Sequence, residues 1–73
     1  MKTLIFLKEN VDREQVKKLC MSIEQKDKTF LWKIENDYLI LESSTKDVAV
    51  KRGLLFVKKY LRDYNLGFEV SGS

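Results

Sequence analysis

Histidine and proline are both missing from this 73-residue chain, cysteine occurs once and glycine three times. Without histidine the chain lacks the usual general base at neutral pH, the usual partner of a nucleophile and the commonest metal ligand. A lone cysteine, Cys20, excludes an internal disulfide framework and any zinc site built from cysteines, and it points to a reducing compartment. No apolar run approaches the roughly 18 residues that a membrane span requires. Met1-Lys2-Thr3-Leu4-Ile5-Phe6-Leu7-Lys8 opens like a signal peptide, but its apolar core is four residues long and no small-residue cleavage site follows. It reads instead as the first strand of a protein that stays in the cytoplasm. There is no Gly-rich phosphate loop, and the acidic residues are scattered. The expectation is a protein with no catalytic residues, no metal and no cofactor.

What is present suits a single globular domain: 44% of residues are apolar and 34% are charged. That domain is expected over residues 1–70, with 71–73 (Ser71-Gly72-Ser73) as a flexible tail. A chain this short buries only about 60% of its unfolded surface, so it gains little stability to spare. The net charge of +3 is unevenly placed. Residues 1–44 balance eight Lys/Arg against eight Asp/Glu, whereas residues 45–73 hold six against three.

Thr3 to Lys8 is apolar on both alternating sets, Leu4/Phe6 and Ile5/Leu7, as expected for a central strand. Asp12 is a good helix N-cap, with Gln15 three residues on and a Val11/Val16 pair at staple spacing. Val16, Leu19, Cys20 and Ile23 then mark one helical face fading near Gln25. Phe30-Leu31-Trp32-Lys33-Ile34-Glu35 and Tyr38-Leu39-Ile40-Leu41-Glu42 read as a hairpin about a two-residue turn at Asn36-Asp37. That turn opposes Glu35 to Tyr38, Ile34 to Leu39, Lys33 to Ile40 and Trp32 to Leu41. Directly opposed residues share a face, so Trp32, Ile34, Leu39 and Leu41 point inward while Leu31, Lys33, Tyr38 and Ile40 point outward.

Ser44 or Thr45 caps a second helix expected to run to Tyr64. Its apolar stripe is Ala49, Val50, Gly53, Leu54, Val57, Tyr60, Leu61 and Tyr64. Gly53 on that stripe implies close approach to the sheet or the other helix, and a break at Arg52-Gly53 is the alternative. Asn65 is a suitable left-handed cap, and Leu66 to Val70 forms the last strand with Phe68 and Val70 inward.

The order strand, helix, strand, strand, helix, strand, joined by right-handed crossovers, favours a split βαβ arrangement. The expected fold is a ferredoxin-like α+β sandwich: an antiparallel sheet of order 4-1-3-2 with both helices on one face. The other sheet face is then left open, carrying Phe6 or its neighbours with Leu31, Lys33, Tyr38 and Ile40. Monomers seldom expose such an apolar patch without a reason.

Three occupants follow from the residues. A second copy of the chain, or another protein, can cover the open sheet as in a homodimer. Single-stranded nucleic acid can stack on Phe6 and Tyr38 with Lys8 and Lys33 on phosphates, since RNA-recognition motifs share this element order and use aromatics of the two central strands. Ile5-Phe6-Leu7-Lys8-Glu9-Asn10 only partly resembles the first-strand signature of those motifs. At the third strand, where the signature carries glycines, only Tyr38 and Leu41 match. Finally, Lys51, Arg52, Lys58, Lys59 and Arg62 give the second helix a basic surface for an acidic protein or a phosphate backbone, and Val48 and Leu55 among them suit a protein contact better. The expected function is a non-enzymatic protein-interaction or regulatory module, with nucleic-acid binding as the alternative.

Overall fold

The computed structural model describes residues 1–72. Its elements are β1 (Lys2–Phe6), α1 (Arg13–Lys26), β2 (Leu31–Glu35), β3 (Tyr38–Glu42), α2 (Lys46–Leu55) and β4 (Phe68–Ser71). A π-helical turn at Phe56–Tyr60 and a 3-10 turn at Arg62–Tyr64 connect α2 to β4. All neighbouring strands are antiparallel in the order β2-β3-β1-β4, which is 4-1-3-2 read from the other edge. The result is the two-layer α+β sandwich of ferredoxin-like topology.

Local chemistry explains the element boundaries. Asp12 Oδ1 accepts from the backbone N–H groups of Glu14 and Gln15 at 3.0 and 3.4 Å, which satisfies two donors at the start of α1. Val11 and Val16 are both buried beside that cap, as the staple spacing requires. The hairpin has the expected register, Glu35 to Tyr38 through Trp32 to Leu41. Of the two turn residues, only Asn36 takes positive φ, at 55°.

β1 resolves its two apolar sets. Thr3, Ile5 and Leu7 are buried under the helices, leaving Leu4 and Phe6 on the open side. Thr3 Oγ1 donates to the Ala49 carbonyl at 2.8 Å, so the one buried hydroxyl on β1 is satisfied by α2. Ile5, Leu39, Leu41, Val16, Cys20 and Phe56 form the centre of the core, with Trp32 and Ile34 half-buried at its margin.

The second helical segment differs most from expectation. Thr45, not Ser44, caps it, accepting from Val48 N–H at 3.2 Å. The segment does not break at Gly53, nor does it continue as an α-helix to Tyr64. It loosens at Phe56, where Leu61 N–H bonds to the Phe56 carbonyl five residues back at 2.7 Å. Five-residue spacing puts Phe56 and Leu61 together in the core, exposed 1% and 5%. Tyr60, placed on the expected stripe by α-helical spacing, is thereby turned outward and exposed 39%, while Leu54, also on that expected stripe but ahead of the turn, lies at its margin and is exposed 44%. Asn65 then takes the left-handed conformation at φ 55° and ends the segment. β4 starts at Phe68 rather than Leu66, which is buried in the core. It includes Ser71, so the expected tail loses its first residue to the sheet, and Ser73 lies outside the described residues.

Candidate interaction surface

Three rows of side chains cross the open face of the sheet. Leu31, Glu42, Lys2 and Ser71 form one row, and Lys33, Ile40, Leu4 and Glu69 form the next. Glu35, Tyr38 and Phe6 form the third, from β2 to β1. The apolar members Leu4, Ile40, Phe6 and Tyr38 occupy the two central strands, and Leu31 stands at the β2 edge. Phe6 and Leu31 are 48% and 57% exposed, far above what core residues of this size show. Neither helix covers this face, so the five form one contiguous patch open to solvent.

The predicted open-sheet residues Phe6, Leu31, Lys33, Tyr38 and Ile40 therefore lie together on one surface. Leu4 completes the set, because the burial of Ile5 and Leu7 places the other alternating residues of β1 outward. Phe6 and Tyr38 pack edge to face, with centroids 5.6 Å apart and planes at 63°. The charges on the face nearly balance: Lys2 and Lys33 stand among Glu35, Glu42 and Glu69. Lys33 Nζ pairs with Glu35 Oε2 at 3.1 Å, and the amino group of Met1 reaches Glu42 Oε2 at 3.4 Å. Lys8, the second expected phosphate contact, donates to the Asn65 carbonyl at 3.1 Å at the end of the sheet.

The basic residues of the second helical segment do not act alike. Lys51, Lys58, Lys59 and Arg62 are exposed, with Lys59 over the Tyr60 ring at 5.9 Å and Arg62 beside Asp63 at 3.9 Å. Arg52 is half-buried and turned toward the sheet. Its guanidinium donates to the Glu42 carbonyl at 3.1 Å, lies 5.4 Å over the Phe30 ring and approaches Asp27 Oδ2 at 3.7 Å. That residue ties α2 to the α1–β2 loop and to β3, which removes it from a surface stripe. Leu54 and Leu55 stand exposed between Lys51 and Lys58.

Cys20 is buried in α1, and burial, followed by the nearby Glu24 carboxylate, pushes its thiol up from 9.0 to about 12. The thiol stays protonated at neutral pH and is held away from solvent, the opposite of an activated nucleophile. Among the described residues no cluster of three His, Cys, Asp or Glu is placed to hold a metal ion. No helix among them is long and apolar enough to cross a membrane. Comparison with protein-family models, with curated proteins and with solved structures gives no match.

Proposed function

We propose that the chain is a non-enzymatic protein-interaction module that works through the open face of its sheet. The observation that carries this reading is an uncovered apolar patch, Leu4, Phe6, Leu31, Tyr38 and Ile40, on a face of nearly balanced charge. Burying such a patch against another protein surface releases its hydration at about 25 cal/mol per Å² of apolar area. The carboxylates and lysines around it are suited to pairing across an interface rim.

The same charges weigh against single-stranded nucleic acid. A phosphate backbone tracking over Phe6 and Tyr38 would pass Glu35, directly opposite Tyr38, and Glu69, directly opposite Leu4. Nucleic-acid grooves of this kind rest on net positive potential, and this face carries three glutamates to two lysines. The edge-to-face contact of Phe6 with Tyr38 also uses ring surface that a stacked base would need. The exposed lysines of the second helical segment, with Leu54 and Leu55, support a further contact surface for an acidic partner. The buried, protonated Cys20 and the absence of histidine from the sequence support action by binding rather than catalysis, in a reducing cytoplasm.

The test is capture by the tagged full chain from nuclease-treated lysate, compared with Ile40→Glu. Ile40 sits at the centre of the patch without being part of the buried core, so the variant keeps its circular dichroism and melting profile. Protein partners, a second copy included, are expected to persist after nuclease treatment and to be lost with Ile40→Glu. Co-purification of nucleic acid in place of protein, or capture indifferent to Ile40→Glu, sinks the reading.

A further inference from the structure

The pattern of charge on the open face is more specific than its balance. In the middle row, Lys33 stands at the β2 edge and Glu69 at the β4 edge, with Ile40 and Leu4 between them. In the row beside it, Glu42 on β3 and Lys2 on β1 are neighbours across the centre. Both of these rows thus carry opposite charges at positions equidistant from a line between β1 and β3, and in the third row Glu35 stands alone. A surface of that kind is complementary to itself under one particular rotation.

We propose that a second copy of this chain covers the open sheet face, related to the first by a twofold axis lying in the interface, parallel to the strands and between β1 and β3. The proposal rests on the open face being the working surface and adds the occupant and its orientation. The axis exchanges β1 with β3 and β2 with β4 without moving a residue out of its row. Lys33 then faces the partner's Glu69, Glu42 faces the partner's Lys2, Ile40 faces the partner's Leu4 and Tyr38 faces the partner's Phe6. Every one of these contacts occurs twice, because the interface is isologous. Leu31 meets the partner's Ser71 at the rim.

The alternative in-plane axis, running across the strands, gives the opposite result. It leaves the middle row facing itself, so that Lys33 meets the partner's Lys33 and Glu69 meets the partner's Glu69. Like charges brought face to face cost free energy and oppose that orientation. Twist does not remove the distinction. Packed sheets cross at about 30°, which displaces corner residues about 7 Å from the axis by about 4 Å. That shift is smaller than the roughly 7 Å between successive residues on one strand face, and it lies within the span of a lysine and a glutamate side chain. Lys33 already pairs with Glu35 of its own strand, an exposed contact that leaves its ammonium free to bridge to a second carboxylate.

Charge exchange at the two corners tests the arrangement. Lys33 and Glu69 are exposed, so Lys33→Glu, Glu69→Lys and the double variant retain the fold, checked by melting curves. Self-association is measured by sedimentation equilibrium at low salt. Each single exchange creates two like-charge contacts per dimer and is expected to weaken association about tenfold, from roughly 0.5–1 kcal/mol per exposed contact. The double exchange restores opposite charges at both corners and is expected to return association to within about threefold of the parent. Glu69→Lys alone guards against the effect of placing a glutamate beside Glu35 in Lys33→Glu. Weakening without rescue in the double variant, or no effect of either single exchange, overturns the orientation. A parent chain that stays monomeric overturns the second-copy assignment, whereas loss of protein capture by Ile40→Glu in that case keeps the open face as the working surface. Association indifferent to Ile40→Glu places the dimer elsewhere and overturns both.

Discussion

Gly53 of α2 lies directly against the ring of Phe68 on β4: a Cβ on Gly53 would come within 2.5 Å of Phe68 Cε2 and 2.8 Å of its Cγ. Two opposing effects meet at this position. Alanine is favoured over glycine in a helix interior by about 1 kcal/mol. Overpacking a filled core costs about 1–3 kcal/mol, and here the obstacle is the body of a ring rather than the end of a flexible chain. The packing effect wins, so Gly53→Ala is expected to lower stability by about 1–2 kcal/mol in urea denaturation. Gly53→Ala combined with Phe68→Leu should recover part of that loss. A stabilised Gly53→Ala would mean that α2 stands further from β4.

The π-helical turn exchanges the roles of Tyr60 and Leu61: a straight helix would set Tyr60 in line with Ala49, and the extra residue brings Leu61 into the core instead. Phe56 stacks on Phe30 with centroids 6.0 Å apart and meets Tyr60 edge to face at 5.3 Å. Phe56→Ala should cost about 3–5 kcal/mol, the range for a buried phenylalanine in a tight core. Leu61→Ala should cost about 2–5 kcal/mol, as for a buried leucine, and Tyr60→Ala should cost clearly less because its ring is 39% exposed. A larger loss at Tyr60 than at Leu61, measured by chemical denaturation, would indicate an uninterrupted α-helix in place of the turn.

These contrasts mark where residue patterns sufficed and where they did not. The hairpin was legible because Trp32 and Ile34 alternate with Lys33 and Glu35 on β2, and the short turn at Asn36-Asp37 carries that alternation across to Leu39 and Leu41 on β3. The buried side of β1 was not legible, since Leu4/Phe6 and Ile5/Leu7 are equally apolar. In the structure Ile5 and Leu7 face inward together with Thr3, whose hydroxyl donates to the Ala49 carbonyl. The π turn was hidden for a related reason. Ala49, Gly53, Val57 and Leu61 recur every four residues and fit an α-helix, so nothing in that spacing reveals the extra residue accommodated between Phe56 and Leu61. Leu31, Lys33, Tyr38 and Ile40 on the open face were legible because they follow from hairpin register alone, whereas Phe6 depended on the undecided side of β1. Arg52 was misplaced because its charge type matches its neighbours, while its role depends on Phe30, Asp27 and the Glu42 carbonyl, which only the tertiary fold brings near.

Arg52 is therefore expected to behave as a structural residue. Removing it takes away a side-chain donor to the Glu42 carbonyl and the cation over the Phe30 ring, at a cost of about 1–2 kcal/mol for Arg52→Ala. Arg52→Lys keeps the charge but not the planar fork and should recover less than half of that. Lys51→Ala, one residue away and exposed, should be neutral within about 0.5 kcal/mol. Thermal melts of the three variants settle the order, and equal melting temperatures for Arg52→Ala and Lys51→Ala would return Arg52 to the surface.

Asp27 adds a pH dependence on the acid side. Its carboxylate accepts from the Thr29 hydroxyl at 2.6 Å and the Thr29 N–H at 3.0 Å, and these bonds, with Arg52 nearby, hold its pKa below the ordinary value of 3.8. A depressed folded-state pKa means that the unfolded chain takes up the proton first as pH falls. The contribution is thus complete above 3.8 and disappears as pH drops through the lower folded-state value. Asp27→Asn should melt below the parent at pH 6 and approach it at the acid end. A gap that stays constant over that range would assign the effect to hydrogen-bond geometry rather than charge.

Cys20 gives the opposite slope at high pH. The folded thiol titrates at about 12 and the unfolded one at 9.0, because burial disfavours the thiolate and the Glu24 carboxylate adds repulsion. Stability from this group is complete below 9 and is lost as pH rises from 9 toward 12, at up to about 1.4 kcal/mol per pH unit. Replacing the thiol by Cys20→Ala lowers stability overall by leaving a small cavity, so the informative quantity is the slope with pH. Between pH 8.5 and 10.5 the parent should lose stability more steeply than Cys20→Ala, the difference approaching that limiting slope. Reaction of the native thiol with a disulfide reagent at pH 8 should likewise proceed only as fast as the α1 region opens, and should accelerate in denaturant. Parallel pH slopes for the two proteins, together with prompt reaction of the native thiol, would place Cys20 at the surface of α1 instead of in the core beside Val16.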